Sequence, residues 1–214
     1  FESIQEEFER VDGEITDTKS TINQLPEKIT LEVLRHENGI NMLKGASLRY
    51  PTITIDGKEH NILAGATIEQ GALSHNGKPY LQVNKSQYTS NEYDGARFVA
   101  KVKANKTYTL SMYYRVVRSA DQGFHLAPEL KDKYNGTTKA YYHYSKTILQ
   151  NNQWQRYENT FTTNQDGYLY FNPSVKRNGW IVFSEIQLEE GNKATPWTNP
   201  DKDERFRRAG IDLY

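Results

Sequence analysis

Apolar residues recur through residues 1–25 at alternating steps of three and four. Phe1, Phe8, Ile15 and Ile22 take one seam position of a heptad, and Ile4, Val11, Thr18 and Leu25 take the other. Only Thr18 is polar among these eight. Between them lie mostly Glu, Asp, Lys, Gln, Ser and Thr, so the apolar stripe is narrow and suits a helix that packs on other helices. A helix this short is marginal alone and needs association to hold it. Bulky and β-branched residues at both seam positions favour a trimer over a dimer. Gly13 falls on the outward side, where it weakens the helix and spares the seam. The pattern predicts a coiled-coil stalk over 1–25. The competing reading is an amphipathic helix lying on the domain that follows.

Pro26 ends the seam, because it cannot donate within a helix and disfavours helix at Leu25. Residues 26–39 read as a collar or linker. Within it Ile29–Leu34 alternates at period two, as a short strand or, in competition, a helical turn. From 40 to 199 the texture changes. Eight of the 14 glycines follow Asp or Asn, seven of them at or after Asn38-Gly39. Asp56-Gly57, Asn76-Gly77, Asp94-Gly95, Asn135-Gly136, Asp166-Gly167 and Asn178-Gly179 read as tight turns that need positive φ. Between them the expected strands are Thr52–Ile55, Tyr80–Val83, Arg97–Val102, Thr107–Val117, Ala140–Thr147, Gln155–Thr162, Tyr168–Phe171 and Trp180–Leu188. Many short strands with turns between them and no amphipathic helix predict an antiparallel β-sandwich. Alternation sends Tyr108, Leu110, Met112, Tyr114 and Val116 to the core. It puts Trp180, Val182, Ser184, Ile186 and Leu188 on one face of the last strand, against Ile181, Phe183, Glu185 and Gln187. Neither set is cleanly polar, so that strand is expected to be covered on both sides. Residues 200–214, mixed in charge with a short apolar end, read as a linker to a further domain.

Composition narrows the function. Lys+Arg and Asp+Glu are both 27, so no net field points to nucleic acid or anionic lipid. Hydrophobic content is only 36% while tyrosine alone supplies 15 residues, which suits a β domain with much polar surface. No apolar run approaches the roughly 20 residues that span a bilayer. The chain opens on Phe1 without a charged-then-apolar leader, and is expected to be a piece of a longer protein. It has no cysteine, which excludes disulfides, thiolate metal sites and cysteine nucleophiles.

No catalytic constellation stands out. His36, His60, His75, His125 and His143 show no metal-ligand spacing, and G-x-S-x-G, P-loop and dinucleotide fingerprints are missing. Glu129 with Asp132, or Glu185 with Glu189, offers a carboxylate pair, but hydrolysis of a glycoside depends on their separation in the fold. What remains is an aromatic surplus. Tyr134 to Tyr144 holds four tyrosines and a histidine in eleven residues, more than one strand can bury on both faces. Exposed rings flanked by polar side chains suit sugars, whose C–H face stacks while their hydroxyls are hydrogen-bonded. Tyr134, Tyr141, Tyr142 and Tyr144 are the leading stacking candidates, with Tyr113, Arg115 and Trp180 behind them. The alternative is that these rings pack between sheets or subunits. Trp154, Trp180 and Trp197 read mainly as framework.

The motifs NMLKGASL (41–48), KANKTYTLSMYYRV (103–116), WQRYENTF (154–161) and FSEIQLEEGNKATPW (183–197) resemble bacteriophage tail-tip and receptor-binding proteins. Their modules are similar to jelly-roll carbohydrate-binding modules. The resemblance covers roughly 41–198, and its most specific part is IQLEEGNKATPW. It implies a non-enzymatic component of the virion tail, baseplate or fiber that acts at the bacterial surface. Its partners would be itself as a homotrimer, host cell-surface polysaccharide and other tail or baseplate proteins, with no nucleic acid and no membrane insertion. No cofactor is required. Structural calcium is frequent in related modules, although no Asp cluster places one here. The competing function is a spacer or trimerisation module without a ligand.

Overall fold

The computed structural model describes residues 7, 9–20, 22–23, 39–126, 128–142, 144–146 and 152–200. The chain divides into two units, Phe1–Asn38 and Gly39–Tyr214. In the first, residues 9–20 and 22–23 are helical. The helix is short. Its described seam residues Val11, Ile15 and Ile22 are 39%, 51% and 56% exposed on the single chain. Arg10 pairs with Glu7 and Glu14 across exposed turns at 3.1 and 2.6 Å. Phe1, Ile4, Phe8, Leu25, the 29–34 segment and the tail from 201 onward lie outside the described residues.

The second unit is built from sixteen strands among the described residues. They are β1 (Thr52–Ile55), β2 (Lys58–Asn61), β3 (Leu63–Ala64), β4 (Thr67–Glu69), β5 (Tyr80–Lys85), β6 (Tyr93–Ala96), β7 (Phe98–Val102) and β8 (Thr107–Arg118). Then follow β9 (Phe124–Leu126), β10 (Pro128–Lys131), β11 (Thr138–Tyr141), β12 (Tyr144–Lys146), β13 (Trp154–Thr162), β14 (Gly167–Phe171), β15 (Ser174–Lys176) and β16 (Gly179–Glu190). One layer is the antiparallel sheet β13-β8-β16-β5-β4. Facing it are two sheets, β11-β10-β14-β7 and β12-β9-β15-β6-β3.

Those two sheets are halves of one creased layer. β6 runs into β7 across Arg97, β9 ends at Leu126 and β10 starts at Pro128, and β14 runs into β15 across Asn172 and Pro173. β11 and β12 flank the same crease in the next column. The expected β-sandwich is therefore present. Its core lies between the layers, where Phe98, Leu110, Met112, Phe124, Leu130, Phe171 and Phe183 are all nearly or fully buried. A β1–β2 hairpin covers part of the outer face of the creased layer, packing Ile55 on Val99 and Tyr170. Asp56 and Gly57 turn it with φ of 50° and 74°, the positive pair that a two-residue hairpin turn demands.

Two local expectations were overturned. Asp94-Gly95 does not turn: both residues sit within β6, paired to Val175 and Ser174. Any Cβ at Gly95 would meet the carbonyl of Pro173, so the glycine serves close backbone approach. In β16 the two faces exchange midway. Ile181 and Phe183 point into the core, and so do Ile186 and Leu188. A β-bulge between Ser184 and Gln187 resets the alternation, with Glu185 at φ 52° as the extra residue. The bulge carbonyl of Ile186 accepts from Asn41 Nδ2 at 2.9 Å and from Trp197 Nε1 at 3.2 Å. Burial of β16 on both sides holds, since every residue from Ile181 to Glu189 is buried. The core set expected in β8 is also as read.

Candidate saccharide groove

A groove of about 470 Å³ follows the crease on the outer face of the creased layer. Alternation explains its lining. Tyr93, Gly95 and Arg97 project to that face from the β6–β7 column, while Ala96 and Phe98 turn inward. His125 and Glu129 do the same from β9 and β10, Tyr141 from β11, and Asn172 and Ser174 from the β14–β15 column.

Register shapes the floor. Ser174 lies opposite both Gly95 and His125, so two small residues, Gly95 and Ser174, lie side by side in the groove floor next to His125. At one end Tyr93 is 51% exposed, with its ring edge-on to His125 at 5.0 Å and Lys176 Nζ 5.6 Å from its centroid. At the other end Tyr141 is 56% exposed and lies opposite Glu129. Asn172 Oδ1 is buried at the groove and accepts no hydrogen bond among the described residues. Glu129 accepts from Thr138 Oγ1 and lies 3.5 Å from Lys131 Nζ, so its charge already has a partner. The site thus offers two exposed rings, acceptors on its floor and Arg97 at its rim. A pyranose needs this set: a face to stack on and partners for its hydroxyls.

Of the residues expected from sequence, Tyr141 alone lines this groove. Tyr134 is on the same outer face but is packed against the Ile55, Val99 and Tyr170 cluster at the β1–β2 hairpin, where its hydroxyl is 2.9 Å from His60 Nδ1 and its ring stacks near Tyr170 at 6.4 Å. Tyr142 turns the other way and stacks on Phe161 at 4.5 Å. Burial holds its hydroxyl above the usual tyrosine pKa, and burial does the same to Tyr170. The backbone of Tyr144 pairs with Leu126 in the half-layer that carries His125, and its side chain lies outside the described set. Tyr113, Arg115 and Trp180 lie on the outer face of the opposite layer. His75 stacks on Tyr113 at 4.0 Å and Arg156 stands over the same ring at 5.2 Å. Arg115 Nε donates to Asn152 at 2.9 Å, and Trp180 Nε1 to Gln82 at 3.0 Å. These three are engaged in packing, remote from the crease.

Sequence reasoning missed Tyr93, Arg97, His125 and Asn172 as groove residues, and named Glu129 only as half of a carboxylate pair. The period-two series Tyr93, Gly95, Arg97 was a usable signal, masked by the turn-like Asp94-Gly95. His125 and Glu129 sit in GFHLAPEL, which is not among the expected strands.

The carboxylate pairs do not face one another across the groove. Glu129 is the one carboxylate among its lining residues. Glu185 is held by Lys78 and His75, and Glu189 accepts from Thr195 N at 3.0 Å, both on the other layer. Among the described residues no group of three or more His, Asp or Glu gathers. No helix of the described residues is long and apolar enough to cross a membrane.

A family model described as a carbohydrate binding domain matches residues 55–177, and the chain belongs to that family. The matched span holds every residue that lines the groove. The chain is also similar to the tail fiber protein of Enterococcus phage phiEF24C, at 24% identity over 250 residues. That match covers 99% of this chain and 14% of the fiber protein, so the chain spans a small part of its relative's length. Among solved structures, the enzymatically active domain of tailspike protein 4 of bacteriophage CBA120 shares the fold. Its TM-score is 0.51 and its identity 11%, over 71% of this chain and 22% of that one. The xylan-binding domain of Paenibacillus barcinonensis Xyn10C aligns at a TM-score of 0.44 and 19% identity, over 61% and 84% of the two chains. The resemblance drawn from the motifs, to carbohydrate-binding modules and to phage tail proteins, is borne out.

Proposed function

We propose that this chain is a non-enzymatic, saccharide-binding part of a phage tail protein, and that its crease groove engages polysaccharide on the host surface. The observation that carries the reading is the groove: two exposed tyrosines at either end of a floor of small and hydrogen-bonding residues. Its single lining carboxylate, already partnered by Lys131, supports binding over hydrolysis. The similarity to a tail fiber protein supports the setting. The exposed stripe Val11, Ile15 and Ile22 supports a trimer through the helix, which would raise avidity by presenting three grooves together.

Packing of Tyr134 and Tyr142 favours the second reading, a spacer without a ligand, as far as those two rings are concerned. Calorimetric titration with host envelope polysaccharide separates the two. Tyr141→Ala and Tyr93→Ala are each expected to weaken binding by about tenfold, the worth of a stacked ring near 1.4 kcal/mol. Thermal unfolding should barely change, because both rings are exposed. No binding by the full chain would leave the spacer reading standing, and binding that survives the double variant would move the saccharide site away from the groove.

A further inference from the structure

Arg97 stands where β6 stops and β7 starts. A break in a strand leaves its N–H and C=O without ladder partners, and buried ones must be satisfied elsewhere. Both groups here are taken by the chain at the β1–β2 hairpin. Arg97 N donates to Ile62 O at 2.7 Å, and His60 Nε2 donates to Arg97 O at 2.8 Å. A carbonyl only accepts, so Nε2 carries the hydrogen. In the neutral ring Nδ1 then accepts from the Tyr134 hydroxyl at 2.9 Å. His60 is itself only 6% exposed, a buried imidazole bonded at both nitrogens. The hairpin therefore sets the backbone of Arg97, and alternation with Gly95 and Tyr93 puts its side chain on the groove.

The charges at the groove are unequal in their partners. Glu129 is met by Lys131 and Thr138. Arg97 is exposed and its guanidinium forms no ion pair among the described residues. The uncompensated charge of the lining is thus one cation, presented as a planar fork of N–H donors that matches a carboxylate or phosphate. Asn172 Oδ1 on the floor supplies an acceptor for ring hydroxyls. A neutral sugar seated beside Arg97 would crowd water from the guanidinium and return no counter-charge.

We propose that Arg97 makes the groove selective for acidic saccharides, pyranose chains bearing a carboxylate or phosphate substituent. This rests on the saccharide-binding reading above. The test is a glycan array of matched neutral and acidic members, followed by titration of each retained glycan against the full chain, Arg97→Gln and Arg97→Lys. The full chain should prefer the acidic member of a pair by about tenfold, the discrimination expected of one charge-assisted fork. Arg97→Gln should lose that preference. Arg97→Lys, which keeps the charge without the fork, should keep part of it, and added salt should weaken only the acidic members. Reducing the carboxyls of a retained glycan, or removing its phosphates, tells which acid is read. Equal binding of neutral and acidic members, unchanged in Arg97→Gln, overturns the selectivity and leaves the binding reading intact. Retention of no glycan by the full chain overturns both.

Discussion

Lys85 is a buried cation whose acidic partner comes from the other layer. Its side chain is 4% exposed, and its ammonium meets Asp94 Oδ2 at 2.8 Å and the Tyr88 ring at 4.2 Å. The pair joins β5 of one layer to β6 of the other, directly behind the residues that end in the groove. Asp94 is 27% exposed, so removing it strands a buried cation while removing little apolar contact. Asp94→Ala is expected to cost about 3 kcal/mol, the usual penalty for a buried charge left alone. Chemical denaturation should show this as a lower midpoint with an unchanged slope. A loss under about 0.5 kcal/mol would mean the ammonium finds water. Neighbouring Gly95 obeys a different constraint. It has no side chain to lose, yet any Cβ there would meet Pro173 O and raise the groove floor.

At the scale of elements, the β1–β2 hairpin matters more than its length suggests. It seals Tyr170, holds Arg97 through His60, and is clipped to the layer beneath by Asp56. That carboxylate lies 2.5 Å from Lys101 Nζ and accepts from the Tyr168 hydroxyl. The Lys101 hydrogen bond, and then that of Tyr168, holds Asp56 below its ordinary 3.8, and the same bond holds Lys101 above its ordinary 10.5. A depressed carboxylate pKa contributes stability that is present above pH 3.8 and is lost as pH falls through the lower folded value. The lysine contributes below pH 10.5 and is lost as pH rises past its raised value. Asp56→Asn should therefore lower the thermal midpoint slightly near neutrality, since the pair is solvent-exposed and screened. The gap to the parent should close as pH drops below 3.8. A gap independent of pH would remove the ion pair from the account. β16 carries the opposite lesson about elements. One extra residue, Glu185, exchanges its two faces halfway along, and a partly buried Lys78 and His75 close over it.

For the whole molecule, the open question is how many copies act together. The helix presents Val11, Ile15 and Ile22 to solvent, with Glu14 and Lys19 beside them. Burying three such stripes against each other is the ordinary reason for a heptad to persist. Sedimentation of the full chain is expected to show a trimer, and a chain starting at Gly39 a monomer of unchanged groove affinity per site. Monomers from both would remove the stalk from the proposal. A trimer from both would move the association to the β unit. Avidity on immobilised polysaccharide should fall with the stalk even where affinity per groove does not.

Local chemistry was enough to determine the class of fold. Alternation in 107–117, 155–162 and 168–171 and the Asp56-Gly57 and Asn76-Gly77 turns depend on neighbours a few residues away, so they read directly as strands and hairpins. The same was true of the core set in β8 and of the two-sided burial of β16. Tertiary structure alone decided the rest. Asp94-Gly95 became strand because β15 lies close enough to exclude a side chain. The faces of β16 changed because a bulge can be stabilised by Asn41 and Trp197 from far along the chain. The groove was illegible for the same reason. It gathers Tyr93, Arg97, His125, Tyr141 and Asn172 from four columns of one layer. Which aromatic rings stay exposed depends on what packs over them, and periodicity within a strand carries no record of that.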